Sequence, residues 1–180
     1  MSLYRFSGRE PFIGAGSYVS ELAMVIGDVR VGENSYIGHG AILRGDYGTI
    51  VIGSGTAIEE GTVIHAPPGG TCRIGRSVTA GHGAIIHAED IADYAVIGMG
   101  AILSLHAKVG YWAIVAEGSV VRNRQSVPEK VVVAGNPARI IREVESRDVE
   151  FWTWGKQLYV DLAQQYLREG MEKIGFSAEG

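Results

Sequence analysis

Along most of the chain an aliphatic residue recurs at every sixth position, often followed by glycine and then by small or polar residues. The first run is Ile13, Val19, Val25, Val31, Ile37 and Leu43. After a three-residue interruption near 46–50 the pattern resumes at Ile52, Ile58 and Ile64. A four-residue insertion, roughly 67–70, precedes Ile74, Ala80 and Ile86. One residue is then skipped before Ile91, Ile97, Leu103, Val109, Val115, Val121, Val127 and Val133. Strands of a half-buried sheet alternate with period 2 and helices with period 3.6, so neither explains a period of six. Short strands joined by tight turns do, each unit making one flat side of a stacked solenoid. Glycines at the corners admit positive φ or the close approach of the next coil.

Three sides make one coil of eighteen residues. Counted from Val31, side a carries Val31, Ile52, Ile74, Ile91 and Val109; side b carries Ile37, Ile58, Ala80, Ile97 and Val115. Side c carries Leu43, Ile64, Ile86, Leu103 and Val121. The pattern resembles the hexapeptide-repeat, left-handed parallel β-helix family, and the resemblance implies the left hand. A glycine-rich sandwich is the competing architecture, but it has no reason to hold a strict six-residue register. The expected fold is therefore an all-β solenoid, a left-handed parallel β-helix of about seven coils with a C-terminal α-helix packed on it.

The ends of the chain break the pattern. Residues 1–12 are expected to cap the first open coil, and Val133 to Arg139 to turn the chain out of the solenoid at Gly135-Asn136-Pro137. From about Asp148 to Lys173 the period becomes helical. Val149, Trp152, Tyr159, Ala163, Tyr166 and Leu167 share a broad apolar face, joined by Phe151, Leu158 and Leu162. Arg147, Glu150, Lys156, Asp161, Gln164 and Arg168 are expected to stay in water. The organisation is a solenoid domain over 1–140 and a helical extension over 141–180 that is not an independent domain.

Composition narrows the functional classes. Charged residues are 20% of the 180 and the formal net charge is -4, with no lysine-rich block, so nucleic acid and anionic membranes are poor partners. The single cysteine, Cys72, excludes an intrachain disulfide and lies outside the ligand register. Neither a signal peptide nor a membrane-spanning stretch is recognisable, which makes the cytoplasm the default compartment.

The repeat also sorts the polar residues into columns. His65 follows Ile64 and His87 follows Ile86, so both hold the second place of side c on consecutive coils. Coils are spaced by about 4.8 Å, the separation of neighbouring strands. Two imidazoles stacked there can converge on one ion. Arg44 precedes them in the column and Ser104 follows. His82 belongs to another column, His39, Glu60, His82 and Met99, on side b. A cyclic trimer can bring a side-b His of one chain to the side-c pair of the next. Three His with one open position are the expected ligand set of a catalytic zinc.

Arg44-Gly45-Asp46, Ile64-His65 and Gly81-His82-Gly83-Ala84-Ile85-Ile86-His87 resemble the gamma-class carbonic anhydrases and their close bacterial relatives. The resemblance runs from Met1 through the C-terminal helix. It implies a homotrimer in which His65 and His87 of one subunit and His82 of its neighbour hold the metal. It also implies an Arg44–Asp46 ion pair across or beside the interface. The implied reaction is the reversible hydration of carbon dioxide to bicarbonate, by water that zinc has acidified to hydroxide. Cobalt or iron can use the same three nitrogens. Glu59 and Glu60 are the candidates beside that water, and Tyr159 matches a tyrosine on the family's C-terminal helix.

The chain departs from the family in three places. Glu59 stands where a glutamine is common, and the family asparagine near the tyrosine has no match around Gly155 and Lys156. The segment Ala66-Pro67-Pro68-Gly69-Gly70 carries no acid, whereas the best-known archaeal enzyme has a proton-shuttling glutamate on a long acidic loop. His39 is a candidate shuttle; His106, Asp90 and Asp93 read as surface or turn residues. Two other functions stay open. One is a metal-binding or structural member with weak catalysis. The other is acyl transfer from acetyl-coenzyme A, for which a single interface His would suffice.

Overall fold

The structure, a computed structural model, describes residues 2–175; Met1 and residues 176–180 of the expected cap and extension lie outside the described residues. It is a left-handed parallel β-helix of about seven turns, with the helix α1 (Ser146–Glu169) packed on it. The every-sixth residues point inward, and Leu43, Ile58, Ile64, Ile86, Ile97 and Leu103 are fully buried in one continuous core. In-register parallel pairing stacks like on like: Leu43 pairs with Ile64, Ile64 with Ile86, and Ile86 with Leu103. Apolar area is thus removed from water along the whole axis, while backbone groups are satisfied between coils.

Side b forms an eight-stranded sheet, whereas sides a and c belong to one twelve-stranded sheet. They merge because the strands Met24–Val31 and Ile42–Ile52 run unbroken through the corner between sides c and a. The interruption read from the sequence near 46–50 is therefore strand, with Val29 opposite Ile50 and a register shift between Gly27 and Val29. Gly27 has φ +75°, and a Cβ there would meet the Gly45 carbonyl oxygen at 2.4 Å, so only glycine fits this corner.

The strand Arg139–Glu143 turns back antiparallel to Val131–Ala134 and spans the 140/141 boundary. The helix starts where the Glu145 N–H donates to the Asp148 carboxylate at 2.8 Å. It stops at Gly170 (φ +70°), short of the expected Lys173.

Side b takes a narrower helical stripe than the expected broad face. Trp152, Tyr159, Ala163 and Tyr166 pack inward, whereas Phe151, Leu158 and Leu167 are exposed. Lys156, expected in water, is buried because its place on the helix falls between Trp152 and Tyr159. Its stem crosses the apolar layer and Nζ donates to Thr79 Oγ1 (3.1 Å) and the Ala95 carbonyl (3.3 Å). The Trp112 and Trp152 rings lie 5.8 Å from the ammonium. Gln164, also expected in water, is half-buried and donates to the Gly16 carbonyl.

Burial pushes the Lys156 amine down to about 7, against a partial opposing pull from Glu59. A base depressed in the folded state makes folding release protons, so lowering the pH destabilises the protein between about pH 10 and pH 7. The slope from this residue is about 1.4 kcal/mol per pH unit. Lys156→Met removes that slope. Urea unfolding should show the variant gaining on the native protein as pH falls from 9 to 7, with a constant difference below pH 6.

Candidate functional site

On side c the parallel pairing sets Arg44 beside His65, and His87 stacks one coil on, its N–H bonded to the Leu103 carbonyl. The His65 and His87 ring centroids are 4.9 Å apart with planes at 73°. Both ring nitrogens of His65 are buried without a hydrogen-bond partner. Nε2 lies 3.4 Å from Asp46 Oδ1 without hydrogen-bond geometry. Arg44 Nη1 donates to the other oxygen, Asp46 Oδ2, at 3.2 Å, which makes the expected ion pair within one chain. Burial, then the neighbouring His65 and Arg44, holds the His87 imidazole below its usual range, favouring the neutral form that a ligand needs.

His82 sits on side b between two carboxylates. Its Nδ1 is 2.8 Å from Glu60 Oε2 and its Nε2 is 3.2 Å from Glu59 Oε2. The His82 N–H also donates to Glu59 Oε2 at 3.1 Å, and the Tyr36 hydroxyl donates to Glu60 Oε1 at 2.6 Å. Glu59 is buried, and that burial pushes its carboxyl up despite His82 and a hydrogen bond from Tyr159. Glu60 is pushed the other way: burial opposes its charge, but the Tyr36 hydroxyl and nearby backbone N–H groups outweigh it and hold the carboxyl low. Tyr159 stays a neutral phenol that donates to Glu59, since burial and the Glu59 carboxylate push its hydroxyl up from its usual range.

Among the described residues, no three His, Cys, Asp or Glu side chains of one chain gather as a metal site. The side-c pair and His82 are separate objects, as the columns require.

No family model matches the chain. It is 34% identical to the carnitine operon protein CaiE of Escherichia coli over 90% of this chain and 83% of that protein. It is 35% identical to the mitochondrial gamma carbonic anhydrase 2 of Arabidopsis thaliana, over 92% of this chain. A hexapeptide transferase family protein of Anaplasma phagocytophilum superposes with a TM-score of 0.87 at 31% identity, covering 92% of this chain and 98% of that one. The chain belongs to the gamma-carbonic-anhydrase-like hexapeptide-repeat superfamily. It spans 62% of the length of the Arabidopsis relative.

Within this superfamily fold, Glu59 has a sequence signal that the His columns obscure. The place after each side-b aliphatic reads Gly38, Glu59, Gly81, Gly98. A Cβ at Gly81 would meet the Met99 backbone nitrogen at 2.8 Å, so the column is narrow and a glutamate in it is conspicuous. Tyr36 and Lys156 carried no such signal. Both became visible only once α1 was seated on side b.

His39, the candidate shuttle, has both nitrogens engaged on side b: Nδ1 is 2.6 Å from Ser20 Oγ and Nε2 is 3.2 Å from the Tyr166 hydroxyl. His106 lies 3.7 Å from Glu89, away from side-c His65 and His87 in the repeat. Asp90 and Asp93 pair with Arg73 and Arg76, and Cys72 is buried in the core with its thiol pushed up to about 12 by burial. Beside His82 and Glu59, a cavity of about 210 Å³ opens under α1, walled by Ile97, Met99, Trp152 and Leu158. No helix among the described residues is long and apolar enough to cross a membrane.

Proposed function

We propose that the protein is a metal-binding member of the superfamily in which His65 and His87 of one subunit and His82 of the next hold a divalent ion. Its reaction is the hydration of carbon dioxide, at low turnover. The observation that carries this reading is His65, whose two ring nitrogens are buried without partners against a second imidazole. A buried polar atom left unpaired costs about 1–3 kcal/mol, and a cation accepting the lone pair relieves it. Zinc is the first candidate for a neutral-imidazole set, with cobalt or iron as alternatives. When bound, such an ion lowers the pKa of water toward neutrality, which is the chemistry hydration requires.

The partner is a second and third copy of the chain. Side c presents an outward apolar ladder in register: Met24, Ile42, Val63, Ile85, Ile102 and Val120. Met24, Ile85 and Ile102 are exposed on the single chain, and the ladder flanks the histidine pair. Burying it against a neighbour's side-b edge brings His82 across. Arg44 and Asp46 orient the side-c pair, and Glu59 with Tyr159 presents an acceptor and a donor beside His82.

Low turnover follows from Glu59 and from Ala66–Gly70, which offers no acid to carry the proton to solvent. Glu59→Gln keeps a hydrogen-bonding group next to Tyr159 and His82 while removing a buried charge. Stopped-flow hydration with zinc-, cobalt- or iron-loaded protein should show a metal-dependent rate. In Glu59→Gln it should rise about tenfold, which is about 1.4 kcal/mol of barrier, at unchanged metal content. A rate independent of added metal contradicts the reading.

A second reading is acyl transfer. It is favoured by the likeness to the Anaplasma hexapeptide transferase family protein and by the apolar cavity beside His82. Release of free thiol from acetyl-coenzyme A with a small amine or alcohol acceptor, insensitive to metal removal, would favour it.

A further inference from the structure

A cyclic trimer that lays side c of one chain against side b of the next makes neighbouring coils climb in the same direction. Each coil rises by about 4.8 Å. In-register pairing sets the levels. On side c, His65, His87, Ser104 and Arg122 follow the stacked aliphatics Ile64, Ile86, Leu103 and Val121. On side b, Glu60, His82, Met99 and Glu117 stand two places after Ile58, Ala80, Ile97 and Val115, which stack likewise. An ion shared by His65 and His87 of one chain and His82 of the next holds that His82 level with the gap between the pair. Two coils further up, Glu117 is then level with the gap between Ser104 and Arg122. Both Glu117 and Arg122 are exposed. Among the described residues neither side chain has an ion-pair or hydrogen-bond partner in its own chain; Arg122 donates only its backbone N–H, to Gln125. Arg44 and Glu60, by contrast, already have partners in Asp46, His82 and Tyr36. Glu117 also lines the cavity that holds His82 and Met99, so it shares the opening of that ligand.

We propose that Glu117 of one subunit and Arg122 of the next form an ion pair that fixes the coil register of the interface. The inference rests on the reading of His65, His87 and His82 as one shared site. Register needs such a device. The apolar ladder of side c repeats on every coil, so a slip of one coil exchanges aliphatic for aliphatic. The charges do not repeat. With His82 level with the histidine pair, Glu117 meets Arg122 and Glu60 meets Arg44. One coil lower, Glu117 falls between His87 and Ser104 and loses its cation. One coil higher, Glu60 falls between the two histidines and leaves Arg44. Only one register serves both acids, and it is the one that completes the site. Charged and polar groups at an otherwise repetitive apolar seam select register in the same way in coiled coils. Arg122 lies two residues after Val120, the last rung of the ladder, where its planar fork suits an interface carboxylate.

The test is a charge-swap cycle on the full chain, read by fluorescence-detected sedimentation of metal-free protein over nanomolar to micromolar concentrations. Glu117→Arg and Arg122→Glu each set like charges across the interface and should raise the half-assembly concentration about tenfold. The double variant restores opposite charges in the reverse sense and should return to within about threefold of native. Cobalt bound per chain, at a concentration where native protein is assembled, should fall in each single variant and recover in the double. A merely structural role for either residue would not be rescued by the second reversal.

Single variants that assemble as tightly as native protein overturn the inference, and so does a double variant as weak as the singles. Cobalt binding that still depends on both His65 and His82 would in that case keep the shared site. A chain that stays monomeric at every concentration, with or without cobalt, overturns the ion pair and the shared site together. Rescue in the double variant, with cobalt binding indifferent to His82→Ala, upholds the pair and removes the metal reading instead.

Discussion

His82→Ala is expected to weaken divalent metal binding by more than about 100-fold, beyond the 10–100-fold typical of losing an outer-shell partner. The substitution leaves the stacked pair His65 and His87 untouched on side c. Two imidazoles with no third ligand make a poor site for a tetrahedral ion. The side chain is half-exposed and packs into no core cluster, so the fold should not suffer. Thermal melts provide a second readout. Metal at a thousand times Kd stabilises the species that binds it by about 4 kcal/mol. Native protein should show that gain in Tm on titration with zinc or cobalt, and His82→Ala should show none. A variant that keeps one ion per chain with the native Tm gain would place the site elsewhere.

Ile64→Ala is expected to lose about 2–5 kcal/mol of stability. Ile64 is fully buried between Leu43 and Ile86 on adjoining coils and immediately precedes His65. The stacked coils leave little freedom to collapse onto the space vacated, which favours the upper part of that range. In a solenoid each coil contacts only its neighbours, so the loss concentrates at two interfaces. Hydrogen exchange should quicken first in the strands Ile42–Ile52, Val63–His65 and Ile85–Ile86. Ile140→Ala, on a side chain 57% exposed, should change stability by no more than about 0.5 kcal/mol. Equal losses in the two variants would mean that the every-sixth residues are not the source of stability.

The solenoid was legible because one physical requirement repeats: an aliphatic residue must point inward on every side. The same register separated His65 and His87 from His82 before any coordinates, since the first two follow the side-c aliphatics Ile64 and Ile86 whereas His82 comes two places after Ala80, on side b. The helix was harder. Its sequence offers several apolar neighbours, and a flat side selects only the stripe through Trp152, Tyr159, Ala163 and Tyr166. Phe151 and Leu158 were therefore placed too deep and Lys156 too shallow.

Tyr36 illustrates a different limit. As the residue before an inward-pointing Ile37 it should have faced water, and it does face outward from the solenoid. It is buried because α1 covers side b, a tertiary event that the local pattern does not encode. The interruption at 46–50 marks a loss of phase in the repeat, yet hydrogen bonding carries the strand through the corner.

The central claim is that one site is built from two chains, and mixed assembly tests it most directly. His65→Ala and His82→Ala subunits each lack a ligand, so each alone should hold no metal. Unfolded together and refolded in equal amounts, they should regain about a quarter of the native metal content, the fraction of cyclic interfaces that pair an intact side c with an intact His82. Metal in the mixture no higher than in either variant alone would contradict the shared site.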